Sequence, residues 1–211
     1  MALRDLCVVF LVACGGSDAT IDAPVAIIDG PHGDGQLTDG SATADAPGGV
    51  GEPPELMGMT LYHNQIRAAV DTTGIAAGPL PSLQWDPNLA AYAATWAAMC
   101  QDTTPKDGLI DHDPNRTNVA GYSYIGENIY ASSGSASAMQ AVQLWAAEKA
   151  NYSYATNTCA AGKGCGHYTQ LVWRDTLKVG CALQNCPGLQ YPSTIICDYG
   201  PGGNFNGEKP Y

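Results

Sequence analysis

Few side chains in this 211-residue chain have the type and spacing to do chemistry. Eight are cysteines, and two of these, Cys7 and Cys14, sit in an apolar stretch at the amino terminus. The other six are Cys100, Cys159, Cys165, Cys181, Cys186 and Cys197, an even set behind an export-type leader. That pattern predicts three disulfides formed in an oxidising compartment. Zinc ligation is the rival use, but no Cys-x-x-Cys pair occurs, and the closest spacings are Cys159–Cys165 and Cys181–Cys186. With all six paired, the domain keeps no thiol nucleophile. His112, in Ile-Asp-His-Asp-Pro, reads as a loop residue, and His167 as a core histidine on a strand. Glu148 reads as a solvated helix position, and His32 as one histidine in an acidic tract. No His-Glu-x-x-His and no Gly-x-Ser-x-Gly is present. Spacing alone therefore defines no metal or catalytic centre.

The elements that must position these residues follow from patterning. Residues 1–14 combine a basic Arg4 with an apolar Leu6–Ala13 core, too short to span a bilayer. They read as a signal peptide. Its end, Leu11-Val12-Ala13-Cys14, resembles the lipobox of bacterial lipoproteins, which implies lipidation of Cys14; ordinary signal cleavage nearby is the alternative. Residues 15–55 are rich in Gly, Ala, Asp, Pro and Thr, lack aromatics and show no period. Such a stretch buries too little apolar surface to offset its ordering entropy, and reads as a disordered acidic tether with a reach of roughly 35 Å.

The folded domain is expected from Leu56 to Tyr211. Leu56, Met59, Tyr62, Ile66 and Val70 mark one face of a helix. Asp86-Pro87 caps a second, slim with alanine at 90, 93, 94, 97 and 98. A loop is predicted from Gln101 to about Tyr124, and a third helix from about Ser137 to Asn151. Strands are predicted at His167–Trp173, Lys178–Leu183 and Thr194–Tyr199. Helices followed by strands indicate an α+β domain with an antiparallel sheet.

Net charge is −11, which argues against nucleic-acid binding through a basic patch. Residues 15–55 hold eight acids and no base; from 56 onward, eleven acids face eight bases. The acidity belongs to the tether.

The run Gly166-His167-Tyr168-Thr169-Gln170-Leu171-Val172-Trp173-Arg174-Asp175-Thr176 resembles the main signature of the CAP superfamily, which includes cysteine-rich secretory proteins, venom antigens and plant pathogenesis-related class 1 proteins. The likeness extends to Tyr62-His63-Asn64-Gln65-Ile66-Arg67, Gly126-Glu127-Asn128, Val179-Gly180-Cys181-Ala182 and Cys197-Asp198-Tyr199-Gly200-Pro201-Gly202-Gly203-Asn204-Phe205. It implies a three-layer α-β-α sandwich around a central antiparallel sheet. It also implies the pairs Cys100–Cys186, Cys159–Cys165 and Cys181–Cys197, of which the first should add on the order of 3–5 kcal/mol. A cleft tetrad of His112, Glu127, Glu148 and His167 follows from the same resemblance. There His112 and His167 could ligate Zn2+ or another divalent metal, with the carboxylates as ligands or as groups that orient the imidazoles. Asp113 and Asp198 depart from the residues usual at those places. Asn64 and Arg67 read as structural.

The implied function is an exported binding module, extracellular or lipid-anchored in the cell envelope, for a small lipid or sterol-like ligand or an extracellular protein. A metal-dependent hydrolase of peptides or esters, with Glu127 or Glu148 as general base, is the alternative. A structural envelope protein is the third reading. The sequence leans away from an enzyme, towards a monomer that meets the membrane only through its amino-terminal anchor.

Overall fold

The structure, a computed structural model, describes residues 51–103 and 106–211. The expected signal peptide with Cys7 and Cys14, and residues 15–50 of the expected tether with His32, lie outside the described residues.

Residues 51–55, read from the sequence as the end of the tether, are built into the fold. The Glu52 carboxylate accepts the backbone N–H of Gly58 at 2.8 Å and of Thr60 at 2.7 Å. It thereby serves amides at the start of helix α1 (Met59–Ala68), whose own N-cap is the side-chain-free Gly58. The helix is shorter than its apolar spacing suggests, because Pro54–Leu56 forms a separate 3-10 turn that drops Leu56 into the core.

Strand β1 (Gln84–Trp85) leads into α2 (Pro87–Ala97). Asp86 accepts the N–H of Asn88 at 2.8 Å and proline takes the first helical position, as the sequence predicts. The predicted loop from Gln101 to Tyr124 contains a small hairpin, β2 (Thr117–Val119) and β3 (Tyr122–Tyr124). Strand β4 (Gly126–Ser132), absent from the sequence reading, follows it. Ser137 caps α3 (Ala138–Ala147), which tightens into a 3-10 turn at Glu148–Asn151. A second small hairpin, β5 (Tyr152–Ser153) and β6 (Thr158–Cys159), precedes α4 (Gly166–Leu171). This helix corrects the expected strand at His167–Trp173. Tyr168, Thr169, Gln170 and Leu171 are all buried, so the segment has no polar face to give it a helical period, and its β-prone residues mislead.

Strands β7 (Lys178–Asn185) and β8 (Ser193–Gly200) complete a four-stranded sheet in the order β1-β7-β8-β4. The three long strands are antiparallel, and the two-residue β1 adds in parallel at one edge. Side-chain alternation along β8 splits the core. Ile195, Cys197 and Tyr199 share a cluster with residues of α1, α3 and α4, whereas Ile196 packs with Ala93 and Ala97 of α2. Helices thus cover both faces of the sheet in three layers. The α2 layer lies very close: a Cβ at Gly180 of β7 would come within 2.2 Å of Ala90 N and 2.4 Å of Asp86 O.

The disulfides join Cys100 to Cys186, Cys159 to Cys165 and Cys181 to Cys197, the pairs implied by the CAP resemblance. Cys181 and Cys197 are cross-strand partners of β7 and β8, and Cys100–Cys186 ties the end of α2 to the end of β7 over 86 residues. Arg67 does comparable work without a covalent bond. Its buried guanidinium donates to the carbonyls of Pro81 (2.7 Å), Leu171 (2.9 Å), Trp173 (2.8 Å) and Thr176 (3.2 Å), holding the α4–β7 connection against α1. Asn64 exchanges two hydrogen bonds with the backbone of Leu83.

Candidate functional site

The four residues of the expected tetrad meet as two histidine–glutamate pairs, each positioned by different elements. His112 lies in the segment between α2 and β2. Trp96 of α2 donates its indole N–H to Asp111 O at 2.8 Å, and Asp111 in turn accepts the N–H of Thr103 at 2.9 Å, so the backbone beside His112 is pinned. Its Nδ1 makes a short hydrogen bond with Oε1 of Glu127, the second residue of β4, and the N–H of Asp113 reaches the same oxygen at 3.2 Å. The Glu127 side chain is 1% exposed, the His112 side chain 52%. The carboxylate is therefore a buried anchor and the imidazole an accessible group held on it.

The second pair forms where α3 ends against α4. Glu148 opens the 3-10 turn, and its Oε1 accepts from Nδ1 of His167 at 2.8 Å. Its Oε2 accepts the backbone N–H of His167 at 2.9 Å and of Tyr168 at 3.3 Å. Because Cys165, the N-cap of α4, makes no side-chain cap bond, Glu148 caps that helix from another element. Burial pushes the Glu148 pKa up, but the hydrogen bonds and charge of His167 and the two backbone donors outweigh it, and the net direction is down. Trp145 of α3 lies along the His167 ring.

The two pairs are linked through the sheet. Asn128, next to Glu127, donates its amide to His167 O at 3.1 Å and to the Tyr199 hydroxyl at 3.2 Å. That hydroxyl meets His63 Nε2 at 2.9 Å, while His63 Nδ1 meets Met59 O at 2.7 Å. Since a carbonyl only accepts, His63 carries its proton on Nδ1, and Tyr199 donates to Nε2. Full burial holds the His63 pKa down at about 4, opposed by the Met59 carbonyl and helped by the nearby Arg67 charge.

Beside the first pair lies a set of acids. Asp113 is buried and accepts from the Tyr92 hydroxyl at 2.7 Å and from Asn115 N–H at 2.8 Å. Burial, then the Asp113 bond, pushes the Tyr92 pKa up. Asp198 of β8 is the cross-strand partner of Glu127 and is 1% exposed. Neither of its carboxyl oxygens has a hydrogen-bond partner, nor has Oε2 of Glu127. Among the described residues, no three His, Cys, Asp or Glu side chains are grouped so as to hold one metal ion.

A profile of the cysteine-rich secretory protein (CAP) family matches residues 61–199, two thirds of the chain, and spans every residue of both pairs. The chain belongs to that family. Pathogenesis-related protein 1 of Arabidopsis thaliana is 42% identical over 150 residues, covering 71% of this chain and 78% of the relative. GLIPR1-like protein 1 of Mus musculus is 36% identical over 168 residues, covering 77% and 66%. Among solved structures, venom allergen-like protein 4 of Schistosoma mansoni aligns with a TM-score of 0.56 at 27% identity, covering 72% of this chain and 90% of that one. NaASP2, solved with Zn2+, aligns with a TM-score of 0.54 at 27% identity, covering 72% and 82%. The CAP assignment and three disulfides fit an extracellular type of protein.

Sequence reasoning gave no polar role to Trp145 or Tyr92, yet each makes hydrogen bonds in the fold. It noted Asp198 as an unusual residue but not its isolation. A carboxylate in Thr194-Ile195-Ile196-Cys197-Asp198-Tyr199 is itself the missed signal, since a strand so apolar leaves little room for a solvated charge.

Proposed function

We propose that this CAP domain works outside the cytoplasm as a binding module for a small lipid or a protein partner, with a divalent metal able to dock on its two histidines. The observation that carries this reading is the employment of both carboxylates. Glu127 is buried beneath His112, and Glu148 accepts one imidazole and two backbone amides. Each acts as a fixed acceptor that orients a ring, not as a solvent-facing base poised over water. This weighs against the hydrolase alternative.

The donor set suits a metal in a limited way. Both imidazoles turn Nδ1 to a carboxylate, so a metal would be taken by Nε2 on each, the arrangement that carboxylate-held metal histidines use. With no group of three protein ligands among the described residues, His112 and His167 would hold the ion and water would complete its shell. When bound, such an ion supplies a positive charge for an anionic headgroup or a partner's carboxylate. The similarity to NaASP2, whose structure is described with Zn2+, supports this choice.

For an apolar ligand, the α2 side of the sheet offers a shallow groove of about 350 Å3 lined by Leu56, Trp85, Pro87, Ala90, Ala94 and Leu183. Its size is at the low end of small-molecule sites. The test is calorimetric titration of the full chain with zinc, comparing wild type with the double variant His112→Ala/His167→Ala, followed by a fluorescent fatty acid with and without chelator. Stoichiometric zinc binding lost in the variant, with fatty-acid binding that survives chelation, is expected. Metal-dependent cleavage of peptide or ester substrates would replace this reading with the hydrolase.

A further inference from the structure

Strand β7 has one edge that the fold leaves open. On one side β8 pairs with it along its whole length, but on the other β1 meets it only at Lys178 and Val179. The N–H of Asp86 donates to Val179 O at 2.9 Å, so the main-chain groups of Val179 point out of that second side. With the period of two along a strand, Cys181 and Leu183 present their N–H and C=O groups on the same edge. Among the described residues, no strand pairs with them there.

The groove beside α2 runs along this open edge. Cys181 and Leu183 pack towards one face of the sheet and Ala182 towards the other, yet all three line the groove. One wall is the start of the described chain, Gly51 to Leu56, where Pro53 and Pro54 have no N–H to offer a neighbouring strand. The other wall is α2, which alanines at 90, 91 and 94 keep low. Main-chain donors and acceptors between apolar walls are the combination that receives an added strand.

We propose that this edge docks an extended segment of a protein partner, which adds to the sheet beside β7 and sets a Lys or Arg against Glu55. The proposal rests on the binding-module reading and specifies its protein partner. Alternate side chains of the added strand face the α2 alanines and Pro53, which favours small apolar residues at those positions.

Charge selects the occupant. Glu55 is exposed and, among the described residues that line the groove, is the only charged one. A basic residue on the docked strand complements it. Residues 15–50 of this chain hold acids and no base, so they meet Glu55 with like charge. A second copy would bring its own Gly51–Leu56 and α2 walls against the first, which keeps two β7 edges apart. A strand from a different, basic protein segment meets neither obstacle.

The experiment titrates the isotope-labelled full chain with the peptide acetyl-Lys-Val-Ser-Val-Ser-amide and reads contacts by NMR. Cross-strand contacts from the peptide backbone to the amides of Cys181 and Leu183 are expected. Replacing the peptide lysine with glutamate should weaken binding by about two- to fivefold, and Glu55→Lys should reverse that order. Absence of the contacts at millimolar peptide overturns the proposal, as does a charge preference that Glu55→Lys leaves unchanged. Contacts to both amides from residues 15–50 or from a second copy, seen before peptide is added, also overturn it. The wild-type contacts decide the matter even if the variant fails to fold. No metal or fatty acid is used, so zinc or fatty-acid binding beside an unpaired β7 edge would end this proposal and leave the binding-module reading standing.

Discussion

Trp145 and His167 stack with ring centroids 6.2 Å apart and planes 22° from parallel, so one face of the site histidine is walled by the largest side chain of the core. The indole is itself fixed, because its N–H donates to Ile129 O in β4 at 3.1 Å. Helix α3 thereby contributes twice to one imidazole, through Trp145 on its flank and Glu148 at its end.

Trp145→Ala should destabilise the domain by about 3–5 kcal/mol, the range for emptying a large aromatic site. Trp145→Phe should cost less, since it keeps most of the packing and loses the indole donor. Urea unfolding of both variants, read by circular dichroism, checks the order.

Arg67→Lys should cost about 3 kcal/mol, although it conserves charge. An ammonium cannot reach the carbonyls of Pro81, Leu171, Trp173 and Thr176 together, and the last three are buried. Burial already holds the Arg67 pKa down at about 10, so a lysine here should also be easier to neutralise. Unfolding at pH 7 and pH 9 measures both effects.

His63 sets an acid limit on stability. Its folded pKa of about 4 lies below the ordinary 6.5, so the unfolded chain takes up a proton first as pH falls. Stability from this group is complete above pH 6.5 and is lost between pH 6.5 and 4. The loss should be on the order of 3 kcal/mol at about 1.4 kcal/mol per pKa unit. A melting-temperature profile over that range, compared with His63→Gln, should show the slope in wild type and flatten it in the variant.

Glu148→Gln should weaken the proposed zinc binding at the histidines by about 10–100-fold, the usual effect of losing a carboxylate that orients a metal-ligating imidazole. It should also loosen α4, whose first amides Glu148 accepts. Calorimetry and amide hydrogen exchange at His167 and Tyr168 report the two effects separately.

The two histidine–glutamate pairs of the candidate site were legible in the sequence as a set of residues and illegible as a geometry. His112, Glu127, Glu148 and His167 stand out only through motifs that carry the CAP likeness; the contexts of His112, Glu148 and His167 alone read as loop, helix surface and core. The α2 cap was plain because Asp86-Pro87 is a local signal that nothing distant overrides. The α4 segment was misread because its first amides are capped from outside, by the Glu148 carboxylate 19 residues before His167. Strand β4 escaped notice since Gly126-Glu127-Asn128 has no apolar alternation; a Cβ at Gly126 would fall 2.0 Å from Gln170 Oε1, so tertiary contact dictates that residue.

The capping of α1 by Glu52 fixes where a protease can free this domain harmlessly. Cleavage on the amino-terminal side of Gly51 leaves the carboxylate bonded to Gly58 and Thr60. A cut after Glu52 strips two amide partners at once and should cost about 1–2 kcal/mol, by analogy with lost helix caps. A shed form that keeps native stability would therefore begin at or before Glu52.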